Sequence, residues 1–246
     1  MRFVECVPNL SEGRRPEVVE AIVAAARAVP GAHVLGHEMD PDHNRAVVTL
    51  AGDPRAVMEA VLALFEAALP RIDLARHEGV HPRVGAIDVV PFVPLEGTTM
   101  DDCLELARSA GRRIAERFGI PVFLYEQAAT RPERRHLSEI RRGGASGLAA
   151  RMASGDASWA PDFGPPEPHP TAGVVAVGAR EFLVAYNVEL ETEDLEVARR
   201  IAARVRESEG GLPGVKALGL ATPTRGCVQV SMNLYDLTRT GIAAAF

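Results

Sequence analysis

Three observations predict an α+β fold: apolar runs that switch between strand and helix spacing, Pro and Gly punctuation between those runs, and a similar element order in both parts of the chain. The order reads β-α-β-β-α-β and then β-α-β-β. That predicts two ferredoxin-like α/β-sandwich subdomains, spanning residues 1–178 and 179–246. At 246 residues, 47% hydrophobic and 24% charged, the chain has ample core and the composition of an ordinary soluble globular protein.

Phe3–Pro8 reads as a short strand running into the turn residues Asn9-Leu10-Ser11-Glu12-Gly13. Val18, Val19, Ile22, Val23 and Ala26 fall at helical spacing, and Pro30-Gly31 ends that helix. His33–Gly36 and Arg45–Leu50 read as strands around a polar connection, residues 38–44. Asp53 fits an N-cap and Pro54 a first helical position, ahead of a stripe at Val57, Val61, Leu64, Phe65 and Ala68. Ile87–Val93 predicts a buried strand. Thr98 and Thr99 cap a helix over Asp101–Phe118, and Ile120–Tyr125 follows as a strand. Pro132–Arg142 reads as a short amphipathic helix whose arginines, Arg134, Arg135, Arg141 and Arg142, form a solvated face. Gly143-Gly144-Ala145-Ser146-Gly147 reads as a flexible bend. Ser158–Thr171 holds five prolines, which exclude regular helix or central strand. It also holds Trp159 and Phe163, so a rigid aromatic-bearing loop is expected rather than a tether. Strands at Val174–Val177, Glu181–Val188, Val215–Leu220 and Cys227–Asn233, with a helix at Leu195–Glu207, complete the pattern.

The net charge of −6 argues against a general nucleic-acid binder. No apolar run approaches the ~20 residues of a membrane span, and the first residues lack a signal-peptide layout. Cys6, Cys103 and Cys227 are few and far apart in apolar surroundings, so they read as core residues rather than a disulfide scaffold. A cytoplasmic location is the expectation. Lys216 is the sole lysine; arginine elsewhere suits bidentate carboxylate contacts, although genome composition or a thermophilic host explains the bias equally well.

Chemistry concentrates between Arg76 and Asp88, where two histidines, two arginines and two acids sit around Gly79, Pro82 and Gly85. The glycines and proline oppose a helix, so these side chains belong on a shaped loop leading into a strand. His77 and His81 stand four apart, but without a helix they do not form a zinc pair, and the His-Glu-x-x-His order is absent. There is no phosphate-binding glycine loop, and no cysteine is close to a histidine in sequence. General acid–base catalysis by His81 is the strongest option, with a histidine that merely bonds a carbonyl as its rival.

Long motifs then carry a resemblance. Glu5-Cys6-Val7-Pro8-Asn9-Leu10-Ser11-Glu12-Gly13, Asn44-Arg45, His77-x-Gly79-x-His81-Pro82-Arg83-x-Gly85-Ala86-x-Asp88-Val89 and Pro91-Phe92-Val93-Pro94 resemble the formiminotransferase family. So do Trp159-Ala160-Pro161-Asp162-Phe163-Gly164-Pro165, Gly178-Ala179-Arg180 and Val230-Ser231-Met232-Asn233-Leu234, so the likeness runs along essentially the whole chain. The resemblance implies transfer of a formimino group from N-formimino-L-glutamate to N5 of tetrahydrofolate in histidine degradation and one-carbon metabolism, with no metal. It places the catalytic role on His81 and the folate-binding segment on Gly164, Pro165, Pro166, Glu167, Pro168, His169, Pro170, Thr171, Ala172 and Gly173. Because both substrates carry carboxylates, Arg45, Arg83 and Arg180 are candidate clamps. Glu38 and His77 are candidates to orient His81 or the pterin, and Asn44 and Asp88 complete the candidate set. A homodimer and a separate cyclodeaminase for the next step are also implied. The family continues with a helix and strand after the Ile242–Phe246 stretch, so the second subdomain reads as incomplete. Two alternatives stay open: a folate-binding protein that has lost catalysis through that shortening, and a folate-dependent transferase using another formimino or formyl donor.

Overall fold

The computed structural model describes residues 2–246. It divides into two compact units, Met1–Arg180 and Glu181–Phe246.

In the first unit the chain runs β1 (Val4–Cys6), β2 (Asn9–Leu10), α1 (Pro16–Arg27), β3 (Ala32–Asp40), β4 (Arg45–Gly52), α2 (Pro54–Ala68), β5 (Ile87–Pro94), α3 (Met100–Phe118), β6 (Val122–Glu126), α4 (Leu137–Arg141), α5 (Gly144–Ala153) and β7 (Val175–Ala179). Among the described residues these strands form a seven-stranded sheet, ordered β1-β4-β2-β5-β7-β6 with β3 along the outside of β4. β5, β7 and β6 are mutually parallel, and the remaining pairings are antiparallel. The α+β class holds. The sheet is larger than a plain β-α-β-β-α-β unit, because the crossover through α3 adds the parallel β6, and the chain returns after α4 and α5 to insert β7 between β5 and β6.

Helices α1, α2 and α3 cover one face of this sheet, with Ile22, Val61, Phe65, Ile114, Phe92 and Leu124 in the shared core. Val89, Phe123, Tyr125 and Ala176 point to the opposite face and pack on Ile140 of α4 and Leu148 of α5. With apolar neighbours on both sides, β5 is buried from Ile87 to Val93, as parallel strands covered on both faces are.

Local capping follows the sequence. Asp53 accepts from the Arg55 and Ala56 amides at 2.9 and 3.4 Å. Thr99 and Asp102 form a reciprocal capping box ahead of α3.

Three expectations need correction. Residues 38–40 belong to β3, and only Pro41–Asn44 turn; β3 is an outer strand, so polar side chains there stay hydrated while the backbone pairs with β4. The 143–147 bend is the start of helix α5. Gly143 adopts φ 74° at its N-cap, and Arg151 of the same helix reaches back to the carbonyls of Arg142 and Ile140 at 2.7 and 2.9 Å. Only half of the arginine run is a solvated face: Arg135 and Arg142 are exposed, but the other two are not. Arg134 is fully buried, and Arg141 is only 14% exposed.

The second unit is β8 (Val184–Leu190), α6 (Leu195–Val205), β9 (Val215–Thr222), β10 (Cys227–Leu234) and α7 (Ile242–Ala245). Its strands make an antiparallel sheet ordered β8-β10-β9. Ala198 and Ala202 of α6 pack on Val215, Val228, Val230 and Met232. No helix among the described residues is long and apolar enough to cross a membrane, and none of them form a His, Cys, Asp and Glu group able to hold a metal ion.

Candidate active site

The β3–β4 hairpin turns at Pro41–Asn44, where Asn44 takes φ 47°, a left-handed position asparagine tolerates better than most residues. Its side chain ties three segments together. Oδ1 accepts from the Gly13 amide at 2.9 Å, while Nδ2 donates to Glu78 O at 2.8 Å and reaches His77 Nδ1 at 3.4 Å. A backbone donor on one end and a carbonyl on the other fix which way the amide points. His77 Nδ1 is therefore the acceptor, and the ring proton sits on Nε2. Burial, followed by the Arg83 charge, lowers the His77 pKa to about 4, so the ring is neutral at pH 7.

Arg83 holds the other side of the loop. Its Nε and Nη2 donate to His81 O at 3.0 and 2.6 Å, and Nη2 also donates to His43 O at 2.8 Å. This clasp brings the 77–81 loop against the hairpin so closely that a Cβ on Gly79 would lie 2.5 Å from His43 O.

His81 is met by Arg45, the first residue of β4, whose Nη1 lies 2.8 Å from His81 Nε2. Arginine only donates, so Nε2 carries the lone pair and Nδ1 the proton. Burial comes first, then the charges of Arg45 and Arg141, and together they push the His81 imidazolium far below its ordinary range; the ring is neutral. Arg45 Nε is buried without a hydrogen-bond partner among the described residues. Asp88 is the buried acid of this cluster: Oδ1 accepts from the Val84 amide at 2.6 Å, and Oδ2 accepts from Arg141 Nε at 2.9 Å and from its Nη2. His43 is 3% exposed, with its ring 5.7 Å from that of His81, and its amide donates to Asp40 Oδ1 at 2.8 Å.

The proline-rich segment closes against the same loop. His169 and Gly173 exchange backbone bonds at 2.8 and 2.9 Å, Ala86 N donates to Ala172 O at 2.9 Å, and Val174 N donates to Val84 O at 3.0 Å. Leu74 N, just ahead of the loop, donates to Thr171 O at 2.7 Å. His169 Nδ1 accepts from the Ala172 amide at 3.1 Å, which makes the turn rigid. Gly85 permits this contact, since a Cβ there would lie 1.9 Å from Val174 O. We expect Gly85→Ala to cost about 1–3 kcal/mol in urea denaturation, the range for forcing extra atoms into a packed site, and to lower activity with it. An unchanged midpoint would mean the two segments separate freely.

The profile of the formiminotransferase domain, N-terminal subdomain, matches residues 3–180, and that of the formiminotransferase domain matches residues 185–246. The chain belongs to the formiminotransferase family. A glutamate formimidoyltransferase from Streptococcus pyogenes serotype M1 is 43% identical over 245 residues, covering 100% of this chain and 81% of that protein. One from Thermoplasma acidophilum is 44% identical over 246 residues, with the same two coverages of 100% and 81%. The formimidoyltransferase-cyclodeaminase of Sus scrofa is 42% identical over 251 residues, covering 100% of this chain and 46% of that protein.

Within this formiminotransferase chain, the structure gathers Asn44, Arg45, His77, His81, Arg83 and Asp88 around one hairpin and one loop, with His169–Gly173 against the same loop. Arg180 is not brought there through its backbone. Its amide donates to Phe92 O at 3.0 Å, five residues along β5 from Ile87 and roughly 17 Å from that strand's start. Glu38 is exposed on β3, and its charge reaches the cluster only as a field on Arg45. Gly164 lies apart from the 169–173 turn, where a Cβ would meet Ile120 O at 2.8 Å. Sequence reasoning passed over His43 and Arg141 as site residues. The Asp40-x-x-His43-Asn44 spacing, which suits a side-chain-capped turn, was a usable signal for His43; Arg141 had none, because its partner Asp88 is 53 residues away.

Proposed function

We propose that this chain transfers the formimino group of N-formimino-L-glutamate to N5 of tetrahydrofolate, with His81 carrying the proton. The observation behind the proposal is a neutral imidazole set among three guanidinium groups, Arg45, Arg83 and Arg141, with Asp88 as the acid that Arg141 pairs. A neutral ring has a lone pair to offer an amine, and the surplus of positive charge suits substrates that bring carboxylates. The names of the relatives point to the same donor chemistry.

The chemistry balances on that one ring. N5 attacks the formimino carbon, an N5–C bond forms, and N5 gives up its proton. The bond from that carbon to the glutamate nitrogen then breaks, and the nitrogen takes a proton as glutamate departs. His81 accepts the first proton and returns it to the leaving nitrogen, so no proton is consumed overall. Arg45 donates to the Nε2 lone pair, so the base becomes available when Arg45 turns to a substrate carboxylate. Substrate binding and unmasking of the base are then one event. The folate-binding role falls to Gly164–Gly173, whose C-terminal turn is bonded to the His81 loop.

The direct test follows 5-formiminotetrahydrofolate formation with formiminoglutamate as donor. No product, or a faster rate with a different formimino or formyl donor, overturns the assignment. A second result checks the role of Arg45. The base must be unprotonated to work, so activity falls as pH drops through its pKa, and burial, with the Arg45 charge next, holds that pKa down. Arg45→Ala is expected to move the acid limb of the kcat/KM profile to higher pH, besides weakening substrate binding. An acid limb that stays in place would separate Arg45 from the titrating group.

A further inference from the structure

Next to the His81 cluster, with Asn44 and His77 in its lining, the first unit holds a recess of about 330 Å³, at the small end of ligand-sized pockets. Arg14, Arg15, Arg71, Arg76, Asn44 and His77 stand on its walls. The acids in it are already engaged. Glu12 is 3% exposed and accepts from the Arg14 and Arg15 amides, each at 2.9 Å, and from Arg15 Nε at 2.6 Å. Asp73 accepts from the Ala75 amide at 3.0 Å and pairs with Arg76 at 3.4 Å. Arg14 and Arg71 bond only to backbone carbonyls, Pro41 O at 2.9 Å and Ala67 O at 2.7 Å. Both charges are left without an acid among the described residues. His77 adds a directional feature. Its Nδ1 faces Asn44, so its hydrogen is on Nε2, and Nε2 is shut off from water with no hydrogen-bond partner among the described residues. A buried N–H left unpaired costs free energy until an acceptor arrives.

Resting on the transferase function proposed above, we infer that this recess binds the glutamate moiety of the donor, with Arg14 and Arg71 each facing a carboxylate and His77 Nε2–H donating to one of the oxygens. Asn44 forms the shared wall. Its amide holds His77 in its donor tautomer, and the next residue, Arg45, meets His81. A glutamate group seated here leaves its formimino nitrogen to extend past Asn44 toward the base. The folate's own glutamyl tail offers the same carboxylate chemistry, and the experiment separates the two sources.

The test uses L-glutamate as the probe in isothermal titration, with the full chain and with Arg14→Gln and Arg71→Gln. Both arginines are exposed, so the variants should melt like the parent, and thermal melting checks that they do. Each variant is expected to weaken L-glutamate binding about tenfold or more, the worth of one charge-assisted contact. In steady-state kinetics each is expected to raise the KM for formiminoglutamate by a similar factor while the KM for tetrahydrofolate stays within about twofold. Unchanged glutamate affinity in both variants overturns the inference. A rise in the tetrahydrofolate KM alone also overturns it, since the recess would then hold the folate tail. Loss of glutamate binding in a chain that transfers no formimino group would keep the site and remove the transferase function. Normal transfer with unaltered donor KM would do the reverse.

Discussion

His81→Ala is expected to lower kcat for formimino transfer by ~10²–10⁴-fold, the contribution typical of a positioned general acid–base. The protein should fold as before. Among the described residues the His81 side chain has one hydrogen bond, to Arg45, and the contacts that fasten its loop run through backbone atoms: His81 O to Arg83, and Glu78 O to Asn44. Alanine keeps all of these. Added imidazole should restore part of the rate, because the vacated space still faces Arg45 and a small base fits where the ring stood. His81→Asn should not recover the rate, since it can hydrogen-bond Arg45 but cannot carry the proton. Activity near the parent level in the alanine variant, with melting unchanged, would take the proton step away from this residue.

The largest stability effect is expected at Arg134. Its guanidinium is 0% exposed and pairs at 3.0 Å with Asp162, itself 7% exposed. Nη1 donates to Ala160 O at 2.7 Å, Nη2 donates to Thr130 Oγ1 at 2.9 Å, and the group lies 5.1 Å from the Phe123 ring centroid. Asp162 in turn accepts from the Leu124 amide at 2.7 Å and from the Thr130 hydroxyl. This network pins the Trp159–Phe163 turn onto β6. Arg134→Met leaves a carboxylate buried without its counter-charge, which costs about 3–5 kcal/mol. Asp162→Asn combined with it should be less damaging than Arg134→Met alone, because no lone charge is then trapped. Urea denaturation of the three variants and the parent reads both numbers. A double variant worse than the single would mean that the hydrogen-bond geometry, rather than the charge, dominates.

The parts of the fold that sequence made legible are those with local causes. Asp53-Pro54 and Thr99-x-x-Asp102 start helices through contacts within three residues, and both were readable. The His77–Asp88 loop was legible as a site because its chemistry is dense and its glycines and proline forbid regular structure. What could not be read came from distant partners. Arg134 and Arg141 looked like surface charges because their acids, Asp162 and Asp88, lie 28 and 53 residues away. Glycines 143, 144 and 147 suggested a bend, yet α5 forms there because tertiary packing through Leu148 and the reach of Arg151 outweigh weak propensity. The parallel register of β5 and β7 sets the Arg180 backbone at the end of β5 away from the His81 loop, a placement no local pattern announces.

The crowd of like charges around Asp88 has one more consequence. Arg45, Arg83 and Arg141 repel one another, and burial, joined by the Arg141 charge, loosens the hold of Arg45 and Arg83 on a proton, so the folded chain is under electrostatic tension. A bound dianion discharges that tension, and whatever discharges it raises the melting temperature with concentration. Added salt should mimic this weakly at the bare protein while slowing the capture of its negatively charged reactants.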